Sequence, residues 1–65
     1  MKITVNGAPA EVAATTLAEI LDELGYGGAK VATAVNESFV PASAREGLAL
    51  SPGDRLEIVA PRQGG

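Results

Sequence analysis

Residues 16–25, TLAEILDELG, decide the fold, because within them the hydrophobic period passes from that of a strand to that of a helix. Leu17, Ile20, Leu21 and Leu24 stand at i, i+3, i+4 and i+7 and form one apolar stripe, with Glu19, Asp22 and Glu23 turned outward as a solvated face. Thr16 followed three residues later by Glu19 has the pattern of a capping box. Gly25 supplies a residue that turns left-handed at the end. The spacing predicts about two turns of amphipathic helix.

On both sides the period returns to two. Upstream, Ile3 and Val5 alternate with Lys2, Thr4 and Asn6, and Asn6-Gly7 is a strong hairpin signal. Pro9 restricts the second strand, in which Ala10 and Val12 point one way and Glu11 and Ala13 the other; it is expected to be short and near an edge. Downstream, residues 26–30 read as a loop, 31–35 as a β-branched third strand ended by Asn36 and Glu37, and Phe39-Val40 as a short fourth strand closed by Pro41. Residues 42–47 are expected to make a single irregular turn. Leu48 and Leu50 lead into Ser51-Pro52-Gly53-Asp54, a type II turn by its Pro and Gly positions. Leu56, Ile58 and Ala60 then alternate with Arg55, Glu57 and Val59 as the last strand.

One helix of this size covers one face of a sheet, so the chain is expected to be a two-layer α+β domain: a mixed four- to five-stranded sheet with one main helix packed on one face. With the first and last strands as parallel neighbours and a right-handed crossover, this is the β-grasp arrangement. Phe39 and Tyr26 are read as packing residues, since a small core needs large side chains. Residues 1–60 form the domain in this reading, and residues 61–65 a flexible C-terminal tail.

The composition narrows what such a domain does. Among 65 residues there is no Cys and no His, which removes thiol nucleophiles, disulfides, Ser-His-Asp triads and the usual zinc, haem and iron–sulfur ligands. A domain this short buries only about 60% of its unfolded surface and leaves little room for a deep pocket. No catalytic residues of its own, no metal and no bound cofactor are expected. Five scattered Lys and Arg against eight Asp and Glu give a net charge of -3, with no basic stripe for phosphates, so nucleic acid is not an expected partner. No apolar run approaches the roughly 20 residues of a membrane span, and the polar start is unlike a signal peptide. A compact cytoplasmic protein is expected.

After Ala60 the pattern stops. Pro61, Arg62, Gln63, Gly64 and Gly65 have neither period nor apolar anchor, and at about 3.3–3.6 Å per residue they reach roughly 17 Å. Frayed ends are common, so a Gly-Gly pair is weak by itself and its context must decide. Two residues without Cβ enter a narrow channel and approach another molecule closely. A terminal carboxyl, with a pKa of about 3.3–3.7, is ionised near neutrality and is able to attack a nucleotide α-phosphate. In this reading Gly65 is the reacting group and the domain is its handle.

The Asn6-Gly7 hairpin, the helix with Thr16, Leu17, Ile20 and Leu21, the run Ala34-Val35-Asn36 with Phe39-Val40-Pro41, the Pro52-Gly53-Asp54 turn and the ending from Glu57 to Gly64-Gly65 together resemble the ThiS/MoaD family of ubiquitin-like β-grasp sulfur carriers, in particular its thiamin-biosynthesis branch. The resemblance covers essentially the whole chain. It departs at residues 42–47, where many relatives carry a basic and then an aromatic residue after Val-Pro and Arg45 arrives late here.

The resemblance implies that an E1-like adenylating enzyme of the ThiF type, using ATP and magnesium that it binds itself, converts the Gly65 carboxylate to an acyl adenylate. Sulfur derived from cysteine through a desulfurase or rhodanese-like donor then leaves a thiocarboxylate, and a ThiG-type thiazole synthase receives the sulfur. Arg62, Gln63 and Gly64 are then expected to be read in the partner's channel. Val59, which alternation turns away from the helix, is expected to form an apolar docking patch with Ala32 or Ala34. The alternatives are a thiocarboxylate carrier for another pathway, such as a molybdopterin-synthase small subunit, a ubiquitin-like modifier joined to lysines, or an interaction module that does not use its terminal carboxylate.

Overall fold

The computed structural model describes residues 1–60; the expectation of a flexible tail at 61–65 lies outside the described residues. Five strands and one α-helix follow in the order β1 (Lys2–Val5), β2 (Ala8–Glu11), α1 (Leu17–Glu23), β3 (Ala32–Val35), β4 (Ser38–Val40) and β5 (Arg55–Val59). They form one sheet with spatial order β2-β1-β5-β3-β4, in which β1 and β5 are parallel and all other neighbours antiparallel. This is the expected mixed sheet at its upper strand count.

The β1–β2 hairpin turns through Asn6 (φ 51°) and Gly7 (φ 84°), the paired positive φ values of a turn whose twist matches its strands. The β3–β4 hairpin does the same with Asn36 (φ 50°) and Glu37 (φ 72°), with no glycine. Gly53 (φ 90°) occupies the left-handed position of the Ser51–Asp54 turn, closed by the Asp54 N–H donating to the Ser51 carbonyl at 3.0 Å.

Helix α1 starts and stops where its sequence implies, but only one half of the expected capping box forms. Thr16 Oγ1 accepts from the Glu19 N–H at 3.3 Å, while Glu19 Oε1 accepts from the Thr16 hydroxyl at 3.1 Å, so Glu19 bonds the capping side chain and not the capping backbone. At the other end the Tyr26 N–H donates to Leu21 O (2.8 Å) and the Gly25 N–H to Asp22 O (3.1 Å), the two bonds of a Schellman motif. Leu17, Ile20 and Leu21 pack on the inner sheet face with Ile3, Leu56 and Ile58, and Val12, Val40 and Leu50 complete the core. Tyr26 is half-buried against this core, as expected. The segment after the Ala42–Gly47 stretch is drawn to the helix start, where the Leu17 N–H donates to Leu48 O and the Leu50 N–H to Thr15 O, both at 2.8 Å.

Three local expectations are corrected. Residues Ala42–Gly47 are not an irregular turn but a short 3-10 helix, held by the Ala44 N–H on Pro41 O and pinned by Arg45. Arg45 Nε donates to Thr33 Oγ1 at 3.1 Å and Nη2 to Val31 O at 2.6 Å. Phe39 is not a packing residue: it is 70% exposed, because its neighbour Val40 takes the inward position and a strand sends consecutive side chains to opposite faces. Glu23, although exposed, does not simply face water; its carboxylate accepts from the N–H groups of Ala13 and Ala14 at 3.0 Å.

Candidate functional site

The face of the sheet opposite α1 divides into two halves. On β1 and β2 it carries Lys2, Thr4, Pro9 and Glu11, a polar mixture. On β3, β4 and the end of β5 it is apolar, and the register explains why: Ala32 lies opposite Val59, and Ala34 lies between Phe39 and Glu57. Two alanines thus floor a hollow of about 510 Å³ that Phe39 and Val59 flank. Val59 is 62% exposed, and these two are the large hydrophobic side chains that the described residues leave in solvent. Such a patch, small but contiguous, is the kind of surface a partner protein covers.

The backbone around this hollow is held from both sides. Asn6 Nδ2 donates to the Ile58 carbonyl at 3.1 Å and Asn6 Oδ1 accepts from the Ile58 N–H at 2.8 Å. Thr33, buried on the inner face, donates its hydroxyl to Val40 O at 2.8 Å and accepts from Arg45. Glu57 is the acidic residue lining the hollow, while the exposed Arg55–Glu37 pair at 3.5 Å lies outside it and contributes little.

The carboxylates with shifted proton affinity serve the fold. Glu23 is held below the usual carboxylate range chiefly by the Ala13 N–H and then by that of Ala14. Asp54 is lowered by the Ser51 N–H (2.8 Å) and then by the Asn36 side-chain amide (3.1 Å), which ties the Ser51–Asp54 turn to the β3–β4 hairpin. Neither faces the hollow. Among the described residues no group of three or more Asp, Glu, His or Cys is arranged to hold a metal ion, and no helix is long and apolar enough to cross a membrane.

Of the sequence-predicted site residues, Val59 stands on the outer face with Ala32 directly opposite and Ala34 beside it, as alternation implied. Arg62, Gln63, Gly64 and Gly65 lie outside the described residues. Sequence reasoning missed Phe39, whose position next to the inward Val40 was the available signal. It also missed the bonding of Asn6 across to β5, for which a hairpin signal gives no hint.

Comparison with known proteins follows this geometry closely. The crystal structure of the thiamine biosynthesis protein ThiS from Geobacter metallireducens superposes with a TM-score of 0.85 at 28% identity, covering 100% of both chains. The NMR solution structure of a thiamine biosynthesis protein from the same organism gives a TM-score of 0.79 at 26% identity, over 100% of this chain and 88% of that one. A thiazole synthase from Paramagnetospirillum magneticum is 41% identical over 61 residues, 92% of this chain, and the chain spans only 19% of that relative's length. The β-grasp sheet with its single main helix, and a match to the ThiS family model that runs from residue 3 to residue 65, make this chain a member of the ThiS family.

Proposed function

We propose that the chain is a sulfur carrier for the thiazole moiety of thiamin, acted on by other enzymes and not itself a catalyst. The observation that carries this is the ThiS family match extending through Gly64 and Gly65, on a domain with the fold of a thiamine biosynthesis ThiS. The carboxylate of Gly65 displaces pyrophosphate from the α-phosphorus of ATP in an E1-like adenylating enzyme of the ThiF type, which binds the ATP and magnesium. Persulfide sulfur from a cysteine desulfurase or rhodanese-like donor then displaces AMP, and thiol cleavage of the acyl disulfide leaves a thiocarboxylate on Gly65. A ThiG-type thiazole synthase takes that sulfur. The thiazole synthase relative supports this partner, since in that protein a segment 41% identical to this chain shares one polypeptide with the remainder.

The chain's own contribution is presentation. The hollow between Phe39 and Val59, at the end of β5, offers the adenylating enzyme an apolar seat immediately before Arg62, Gln63 and the two glycines. Glycine lacks the Cβ that would keep the backbone out of a narrow channel. The requirement for ATP is in keeping with a cytoplasmic process.

Intact-protein mass spectrometry after incubation with the adenylating enzyme, ATP and a sulfur donor tests this. Exchange of one terminal oxygen for sulfur is expected. An unmodified chain beside a demonstrably active enzyme refutes the proposal, and covalent products with lysines of other proteins turn it toward a modifier.

A further inference from the structure

β1 accompanies β5 only part of the way. Their parallel register pairs Thr4 with Arg55 and Val5 with Leu56, and the last backbone bond runs from the Asn6 N–H to Leu56 O at 2.9 Å. The chain then turns away through Asn6 and Gly7, while β5 continues to Val59. On its other side β3 stays with it, pairing Thr33 with Ile58 and Ala32 with Val59. The backbone groups of Ile58 therefore face the side that β1 has left. A buried backbone N–H and C=O without partners would weaken the strand there. The carboxamide of Asn6 takes both, donating at 3.1 Å and accepting at 2.8 Å, across 52 residues of sequence. A carboxamide has the donor and acceptor of a peptide group, so one side chain lengthens the β1 ladder by a residue after its backbone has gone.

We infer that Asn6 is a positioning residue: its side chain fixes the end of β5, and with it Val59 and the point from which residues 61–65 continue. The inference rests on the proposed carrier role for its meaning, because a group delivered into a partner's channel needs a fixed origin, but it stands on hydrogen bonds within the domain. If β5 peeled back from Ile58, Val59 would leave the hollow it shares with Phe39, and the partner would have to order the extra residues on binding.

Asn6→Gly tests this well, since glycine keeps the positive φ and hairpin while removing both bonds; Asn6→Asp keeps the turn and one acceptor but sets a carboxylate oxygen against the Ile58 carbonyl. Amide hydrogen exchange at Ile58, read by NMR, is expected to accelerate about 10- to 100-fold in Asn6→Gly, with Leu56 little changed and the backbone order of Val59 and Ala60 reduced. Unchanged exchange at Ile58 overturns the inference. With the adenylating enzyme, the KM for the chain is expected to rise roughly threefold to thirtyfold at near-constant kcat in a variant that melts as a folded domain, with Asn6→Asp in between. Accelerated exchange with an unchanged KM overturns the positioning role. A wild-type chain that is not adenylated refutes the carrier role instead, and Ile58 exchange with Val59 order still decides whether Asn6 holds the strand end.

Discussion

Val59 and Ile58 are chain neighbours with opposite exposures, 62% and 6%, and this difference separates binding from folding. Fully burying an aliphatic or phenylalanine side chain contributes about 1.5–3 kcal/mol. A partner can bury only what the free chain leaves in water, which for Val59 at 62% and Phe39 at 70% leaves roughly 1–2 kcal/mol each. Val59→Ala and Phe39→Ala are therefore expected to raise the KM for the proposed adenylating enzyme about 5- to 30-fold each, and the pair somewhat less than multiplicatively because they flank one hollow. Their melting temperatures are expected to change little. Ile58→Ala reverses the pattern: a cavity in the core costs about 2–5 kcal/mol, which lowers Tm by about 4–8 °C per kcal/mol in a domain of this size. The assay is ATP–pyrophosphate exchange against carrier concentration, with thermal melts of the same samples. A Phe39→Ala/Val59→Ala double variant with native Tm and native KM would refute the docking role of the hollow. Equal effects of Val59→Ala and Ile58→Ala on Tm would refute the assignment of faces.

Other perturbations probe the fold that carries the site. Thr33→Val keeps shape but removes the hydroxyl that donates to Val40 O and accepts from Arg45, and is expected to cost about 1–3 kcal/mol in a urea titration. Glu37→Gly relieves a side chain held at φ 72° and is expected to stabilise the domain by about 0.5–1 kcal/mol, more than the exposed Arg55 contact it forfeits. The folded domain holds the Glu23 proton affinity below that of the unfolded chain, so this carboxylate's contribution is complete above the ordinary glutamate range and is lost as pH falls through its lowered folded value. Asp54 acts in the same sense. Acid melts of Glu23→Gln are therefore expected to show a shallower fall of stability below about pH 4 than the wild-type chain, and parallel curves would disprove the coupling.

The helix and the strands were legible because each announces itself locally: a stripe at 16–25, an Asn-Gly turn, alternation along 55–59. Even the face of Val59 follows from counting by twos. What local pattern does not contain is a partner far away in the chain. Residues 42–47 have no period, and their helical turn is held by Arg45 reaching 12 and 14 residues back to Thr33 and Val31. Asn6 is fully accounted for by its turn until Ile58 comes beside it. Glu23 lies on the outer face of a helical wheel, yet the chain entering the helix brings two amide groups over it. Phe39 is a different case: alternation along β4 turns it away from the inward Val40, and the size of its side chain does not override that. Of the candidate site, Val59 was readable from sequence, while Arg62, Gln63, Gly64 and Gly65 fall outside the described residues.

The strand at the centre of the sheet, β5, is also the last to be made. Before it arrives, the β1–β2 hairpin and the β3–β4 hairpin have no strand in common, since each meets the other only through β5. A two-stranded hairpin is marginal in water. During synthesis, which proceeds from the N-terminus, the domain therefore cannot close progressively; it closes when residues 55–59 slot between two waiting halves. A chain shortened before β5 has two separate hairpins in place of one five-stranded sheet. The step that completes the sheet is thus also the one that sets Val59 beside Ala32, so the outer-face hollow comes into being only when β5 is in place.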